Sequence, residues 1–434
     1  MVSAITPERA SSAILDQAIA ALDKAIGNQL VEITQAPPFQ TLKSLWFGLN
    51  ALVDATGQAR DVELDLLNVS KPDLIDDFEI YLDLTDSALF HHLYKNEYDQ
   101  AGGRPYTSVL MQYNFAATSA DISLLRQVSK VAASCHCPVI VNADPRLFSK
   151  KGVKDLEDIK DFSLLFGSQE YLRWRQFSQG EDVRYLGMAL PRVLVSYEVG
   201  RRPPRYCRGD GLASATRSWT HATYAFGMIL VRSFVKQGWC VYIRGAETGG
   251  LVEGLEGPEL GLPGFDFREP PLEILFSDRQ EQELAAQGLI PLCYHRQRER
   301  ICLFSAPTMQ NVKQIRSEGG QFDRLAASLP YLYLISRIAH YQKLIQRENI
   351  GLTRESGELE KELHQWLQRL ITTMRDPNLE MRTERPLSGG FVKVLDDPAN
   401  PGFFKVQLVV QPHLQLEGVN AKLELNTKMP RKKE

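Results

Sequence analysis

From residue 62 to residue 305 the chain alternates short apolar runs of β character with amphipathic helical stripes. That alternation constrains the fold more than any other feature, because strand and helix in turn build a sheet faced by helices. Residues 62–69 read as a strand, with Ser70 capping a short helix from Pro72. Helix is predicted over 87–94, strand over 108–115, helix over 121–133 and a buried strand over 139–142. Residues 155–177 read as helical and aromatic-rich, and 184–190 as a strand ended by Pro191. The pattern repeats with helix 220–237, strands 239–243 and 272–276, helix 279–287, and strands 289–293 and 300–305.

The ends of the chain differ. Ser11 or Ser12 can cap a helix whose Ile14, Leu15, Ala18, Leu22, Ile26 and Leu30 recur at helical spacing. Pro37-Pro38 stops it, and a second helix over 39–53 lines up Leu42, Leu45, Trp46, Leu49 and Leu52. Neither has an obvious partner of its own, so each stripe buries against the rest of the chain or a second subunit. A helix over 321–348 is crossed by Pro330, which should kink or split it, and another runs over 358–374. Strand-like runs at 391–395, 403–411 and 419–426, with Asp-Pro and Gly turns, predict an antiparallel meander. The fold class is α/β with α+β character: several subdomains, mixed sheets flanked by helices, and C-terminal antiparallel strands. The Arg-, Pro- and Gly-rich stretch 200–211 is the best internal boundary, dividing an N-terminal helix (1–36), an α/β domain (37–210) and a second α/β domain with the meander (211–434).

With 434 residues the chain exceeds a single ordinary core. Its net charge of -3 exerts no global pull on nucleic acid, and no run reaches a membrane span or forms a signal peptide. Six cysteines scattered through apolar runs read as buried reduced thiols, which fits a cytoplasmic protein.

Candidate chemistry is sparse. The apolar run 239–243 enters glycines at Gly245, Gly249 and Gly250, as in nucleotide folds. No Lys-Ser/Thr pair follows and no G-x-G-x-x-G is present, while Glu247 and Glu253 would repel an anion. Cys135-His136-Cys137 is the metal candidate, but in an extended strand His136 points away from both thiols unless a sharp turn intervenes. His91-His92 diverge on a helix, and Cys293-Tyr294-His295 cannot aim both groups at one reacting atom. Gln282 and the acidic Glu281 and Glu283 mark a helix N-terminus. No cofactor is expected, and an enzyme, dependent on Glu247, Glu253 or Cys293, is the minority reading.

Motifs in order along the chain carry a resemblance. Phe39-Gln40-Thr41-Leu42-Lys43-Ser44-Leu45-Trp46-Phe47-Gly48-Leu49, Leu66-Leu67-Asn68-Val69-Ser70-Lys71 and Gly102-Gly103-Arg104-Pro105-Tyr106 begin it. Trp174-Arg175-Gln176-Phe177, Ala189-Leu190-Pro191-Arg192, the stretch from Gly238 to Leu255, Ser277-Asp278-Arg279 and Ile290-Pro291-Leu292-Cys293 continue it. Leu329-Pro330-Tyr331, Ser336-Arg337-Ile338-Ala339-His340-Tyr341 and Gln411-Pro412-His413-Leu414-Gln415-Leu416-Glu417 complete it. Over roughly residues 14 to 427 the chain resembles the large subunit of the bacterial type VI secretion contractile sheath, the TssC/VipB family. It departs from that pattern at Arg104, where an acidic residue is usual, at Gln411, where Arg is typical, and in a shortened segment between Ala306 and Gln321.

The resemblance implies a non-catalytic sheath protomer. It would pair with a small sheath subunit (TssB/VipA-like), contact neighbouring protomers and a baseplate, surround an inner tube (Hcp-like) and contract to propel it. Relatives carry a longer segment upstream of the first helix, which leaves recognition by a ClpV-type ATPase and N-terminal strand exchange doubtful. The C-terminal strands bearing Phe404, Val406, Leu408, Val410, Leu423 and Leu425 are candidates for a sheet shared between subunits; the alternative is a closed sheet within the domain. Arg324, Arg337, Lys343 and Arg347 on the long helix are candidate tube-facing groups, or else a solvated face with one buried Arg. A divergent paralogue that caps or modifies a sheath, or an adaptor that binds one without polymerising, is the remaining alternative.

Overall fold

A computed structural model describes residues 7–57, 59, 61–81, 83–197, 217–255, 269–311, 327–348, 356–374, 377–396, 403–413 and 423–430. It opens with α1 (Pro7–Gln35) and α2 (Pro37–Thr56). Pro37 and Pro38 open α2 at positions where a missing N–H carries no penalty. Because α1 starts at Pro7, Ser11 and Ser12 lie inside the helix and not at its cap.

Residues 62–69, expected as a strand, form no regular element and pair with no described strand. They are held by side chains instead: Tyr106 Oη donates to Asp65 at 2.8 Å, Arg104 pairs with Glu63, and Tyr113 Oη donates to the Val69 carbonyl. Ser70 then caps α3 (Lys71–Ile80) in a reciprocal box with Asp73, as its sequence predicts. A single turn, α4 (Ala88–Phe90), runs into a π-helical segment at His91–Tyr98.

The main sheet has the order β1-β2-β3-β6-β7, comprising β1 (Val109–Phe115), β2 (Val139–Ala143), β3 (Leu186–Leu190), β6 (Leu289–His295) and β7 (Arg300–Leu303). Neighbours from β1 to β6 are parallel, and β7 turns back antiparallel to β6. Between β1 and β2 lies α5 (Ser119–Ser134), capped by Thr118, with Leu125, Val128 and Val131 turned inward. The expected helix over 155–177 is broken into α6 (Phe162–Gly167), α7 (Leu172–Ser178) and 3-10 turns. Its aromatic rings decide that shape: Phe148, Phe162, Phe166 and Tyr171 meet edge to face at centroid separations of 5.0 to 5.8 Å. The antiparallel pair β4 (Val193–Tyr197) and β5 (Arg217–Thr220) leads into α8 (Ala222–Gln237), which covers β1, β2 and β3. At Gly48 an added Cβ would lie 2.5 Å from the Tyr224 ring, so glycine is what lets α2 approach α8. α9 (Asp278–Ala286) packs on β6, with the Ser277–Gln280 box at its start.

Two further expected strands are not strands. Residues 239–243 form turns, yet they bury because Trp239 and Val241 join one core while Cys240 and Ile243 join another. Residues 272–276 make one isolated bridge, Val193 to Leu272, flanked by bonds from Leu194 to Pro271 and from Glu273 to Arg192.

The second core is built by α10 (Leu329–Glu348), α11 (Ser356–Gln368) and the antiparallel sheet β10-β9-β8, with β8 (Leu387–Asp396), β9 (Phe403–Pro412) and β10 (Leu423–Pro430). The expected meander is present. Val406, Leu408 and Val410 alternate inward against Leu359, Leu363 and Leu367, and each such buried side chain is worth about 1.5–3 kcal/mol. A short helix, α12 (Leu379–Glu384), starts at the Asn378 cap. Pro330 neither kinks nor splits α10, because it is the second residue of the helix. The composition boundary at 200–211 lies outside the described residues, and the first core draws on both sides of it: β1–β3 before, α8, β6 and β7 after.

Candidate functional site: outward-facing assembly surfaces

The glycine stretch is packing, not a phosphate cradle. Its amides are already engaged: Gly245 N–H donates to Leu303 at 2.8 Å, Gly250 N–H to Gly245 at 2.8 Å, and Val252 N–H to Ile301 at 2.9 Å. Leu303 N–H returns to Gly250 at 2.8 Å, so the stretch covers the outer edge of β7. A Cβ at Gly250 would sit 2.5 Å from the Leu303 carbonyl oxygen, which is why no larger residue fits. Glu247 pairs with Arg298 at 2.6 Å, and Glu253 with Arg232 at 2.6 Å and Arg300 at 3.4 Å.

Cys135, His136 and Cys137 occupy a turn after α5, not a strand, with His136 at φ 50. The turn brings the two thiols together but sends the imidazole elsewhere, to Tyr185 Oη at 2.9 Å. Burial, with His340 and Arg184 nearby, pushes the His136 pKa down to about 4, and burial pushes His340 to about 4. Both rings are therefore neutral groups of a packed interior. Among the described residues no group of three or more His, Cys, Asp or Glu could hold a metal ion. Cys293 faces Cys302 across β6 and β7, and burial raises both thiols to about 12, far from a reactive thiolate. His295 lies beside the Phe304 ring instead, tilted against it at a centroid separation of 6.3 Å. His91 contacts Lys95 at 2.8 Å on the exposed π-helical turn, and both His91 and His92 face outward.

The basic set of the long helix is largely occupied. Arg324 lies outside the described residues. Arg337 lies over the Phe234 ring at 4.9 Å and donates to Tyr341 Oη at 2.9 Å. Lys343 pairs with Asp99 at 2.7 Å beside the Tyr98 ring. In Arg347 the Nε and one terminal nitrogen are buried without a hydrogen bond.

Of the candidate shared-sheet residues, Phe404, Val406, Leu408 and Val410 are on β9, the middle strand, paired on both sides within the chain. Leu423 and Leu425 are on β10, opposite Val410 and Leu408. The outer edge of β8 is partly closed: Leu387 bridges Ile371, and Val394 N–H donates to Glu360 at 2.9 Å. β10 pairs only with β9 among the described strands, which leaves its outer edge as the open one.

Apolar side chains also face outward at the other end. On α2, Phe39, Leu42, Trp46, Phe47 and Val53 are exposed. So are Ile14, Leu15, Ile19, Leu22, Ile26 and Ile33 on α1, and Leu64, Leu66 and Leu67 in the segment before α3. Isolated exposed apolar residues are ordinary, whereas contiguous faces of this kind mark contact with another molecule. Two buried polar sites had no signal in the sequence, because their partners are distant: Lys71 to Asp121 at 2.6 Å, and Asn142 to Thr223 at 3.1 Å. Among the described residues no helix is long and apolar enough to cross a membrane.

A scaffold that leaves apolar helix faces and a strand edge outward, with His136 and His340 packed as neutral rings in its interior, has the surfaces of a structural subunit of a larger assembly. Comparison with known proteins gives that class its family. Residues 16–310 match the VipB model, described as EvpB/VC_A0108, tail sheath N-terminal domain, and residues 320–429 match its companion, tail sheath gpW/gp25-like domain. The chain is 33% identical over 436 aligned positions to the type VI secretion system sheath protein TssC1 of Pseudomonas aeruginosa, covering 97% of this chain and 86% of that protein. The chain belongs to the VipB tail sheath family and is a large subunit of the type VI secretion contractile sheath.

Three solved structures align with the chain at low similarity. The anti-feeding prophage baseplate gives a TM-score of 0.41 at 11% identity, covering 83% of this chain and 81% of that one. The sheath tail protein Lin1278 of Listeria innocua gives 0.36 at 8% identity, covering 76% and 57%. The contracted anti-feeding prophage sheath gives 0.36 at 11% identity, covering 83% and 98%.

Proposed function

We propose that this subunit pairs with a small sheath subunit of the TssB/VipA type, polymerises in the cytoplasm around an inner tube of the Hcp type on a baseplate, and acts mechanically without catalysing a reaction. The observation that carries the reading is the identity to a type VI sheath protein across 97% of the chain. The open outer edge of β10 supports continuation of the C-terminal sheet into a neighbouring subunit, since unpaired backbone groups on an edge template another strand. Contact with an acidic tube is assigned to Lys343 of α10, which would exchange Asp99 for a tube carboxylate.

Co-expression with a small sheath subunit tests the reading. Tubes visible by negative-stain microscopy are expected, and Lys343→Glu should weaken retention of the inner tube without dissolving the sheath. Persistent single particles that neither bind the small subunit nor pellet would overturn it.

A further inference from the structure

The apolar residues of α1 follow a heptad. Ile19, Ile26 and Ile33 are spaced by seven, and so are Leu15, Leu22 and Gln29, with alternating steps of four and three between the sets. This is the a and d pattern of a coiled-coil strand, and Ile at a with Leu at d is the combination that favours two strands. The seam is uncovered: Leu15 is 60% exposed, Ile19 55%, Leu22 63%, Ile26 41% and Ile33 49%. The neighbouring face, through Gly27, Leu30 and Val31, is buried or half-buried, so the seam is a second stripe and not the one that seats the helix. A helix of 29 residues, about 43 Å long, draws little stability from propensity alone when its apolar stripe faces water.

The flanking positions say what the partner is. Beside the seam, e carries Asp16 and Asp23, and g carries Ala18, Ala25 and Glu32. Two parallel copies would set Ala18 against Asp23 and Ala25 against Leu30, gaining no ion pair. Two antiparallel copies would set e against e and g against g, acid against acid or against nothing. The acidic flank is also the wrong sign for an anionic bilayer.

We infer that α1 is one strand of a two-stranded coiled coil, completed by an amphipathic helix of a different polypeptide that has a Leu/Ile seam and Lys or Arg along its edges. The inference rests on the proposed pairing with a second polypeptide, but it can fail separately.

The test uses the full chain and a labelled synthetic four-heptad peptide with Ile at a, Leu at d and Lys at every e and g, alongside its twin with Glu at every e and g. Fluorescence anisotropy should show the Lys peptide binding at least tenfold more tightly than the Glu peptide, with affinity falling as salt rises. Ile19→Asp and Leu22→Asp should each abolish that preference while leaving the thermal unfolding midpoint unchanged. Equal affinity for both peptides, binding of neither, or unaltered binding by Leu22→Asp would overturn the inference. So would self-association of the wild-type chain that Leu22→Asp removes, or binding to phosphatidylserine vesicles that it removes. Leu22→Asp chains that still build tubes with a small sheath subunit would overturn the α1 seam and leave the sheath reading intact. A wild-type chain that binds the Lys peptide yet builds no tubes would do the reverse.

Discussion

The side-chain oxygen of Asn142, at the carboxyl end of β2, accepts a hydrogen bond from the backbone N–H of Thr223 in the first turn of α8 at 3.1 Å. Its amide nitrogen donates to the Met111 carbonyl at 3.0 Å, so one buried side chain fixes a strand neighbour and a helix start together. Asn142→Leu would strand the Thr223 N–H, and a buried orphan donor costs about 1–3 kcal/mol. Urea denaturation should show a loss of that size. An unchanged midpoint would mean that the contact is not made.

Two glycines should respond oppositely to alanine. At Gly250 the new methyl meets the Leu303 backbone oxygen at 2.5 Å, which cannot yield without parting the stretch from β7. Gly250→Ala should destabilise by about 1–3 kcal/mol. Gly357 is a helical residue of α11 with open space around it, so Gly357→Ala should be neutral or stabilise by about 0.4–1 kcal/mol. Paired thermal melts decide the matter, and equal shifts would contradict the packing described.

Acid should weaken the fold before most carboxylates titrate. His136 and His340 have folded pKa values of about 4, below the ordinary 6.5, so the native state favours the neutral rings. Their contribution is complete above about pH 6.5 and is lost as pH falls toward about 4, since the unfolded chain takes up the protons first. Within that window each ring gives a slope of at most about 1.4 kcal/mol per pH unit. Stability measured from about pH 7 to about pH 4.5 should fall in the wild type and fall less steeply in a His136→Gln/His340→Gln variant, where buried His221, also pushed down to about 4, and His413 keep a share of the slope. Identical profiles would refute the assignment.

Asp121 depends on Lys71. The ammonium lies 2.6 Å from the carboxylate, 2.8 Å from the Asn114 carbonyl and 4.2 Å from the centre of the Phe115 ring. Asp121 is almost fully buried, so Lys71→Met leaves a desolvated charge behind and should cost about 3–5 kcal/mol. Adding Asp121→Asn should recover much of the loss. A double variant no more stable than Lys71→Met would show that the pair is not coupled.

Much of the fold was legible because local pattern and tertiary environment agreed. α2, α5, α8 and α9, and strands β1, β2, β6 and β7, fall close to where periodicity and caps put them. The failures have a shared cause. Residues 62–69 and 239–243 carry the residues of strands but lack a ladder, because their backbone groups or side chains are satisfied elsewhere: Val69 by the Tyr113 hydroxyl, Trp239 and Tyr242 by the Ser233 hydroxyl. Pattern records which side chains bury, not which backbone pairs with which. Pro330 shows the same limit, since a proline reads alike as a break or as a helix start until the preceding segment is placed. The outward-facing apolar stripes of α1 and α2 were visible in outline in the sequence. That β9 would be the enclosed strand and β10 the open margin depended on strand order, which composition does not encode.

α10 belongs to both cores: Leu329, Leu332 and Tyr333 pack with the large sheet, while Tyr331, Leu334, Ile335 and Ile338 pack with the C-terminal one. One continuous rod thus threads two bodies and grips each through a separate set of side chains. A pull delivered to the C-terminal strands reaches the larger body through this strut. Rotating one body against the other would have to unpack one of these two sets of side chains.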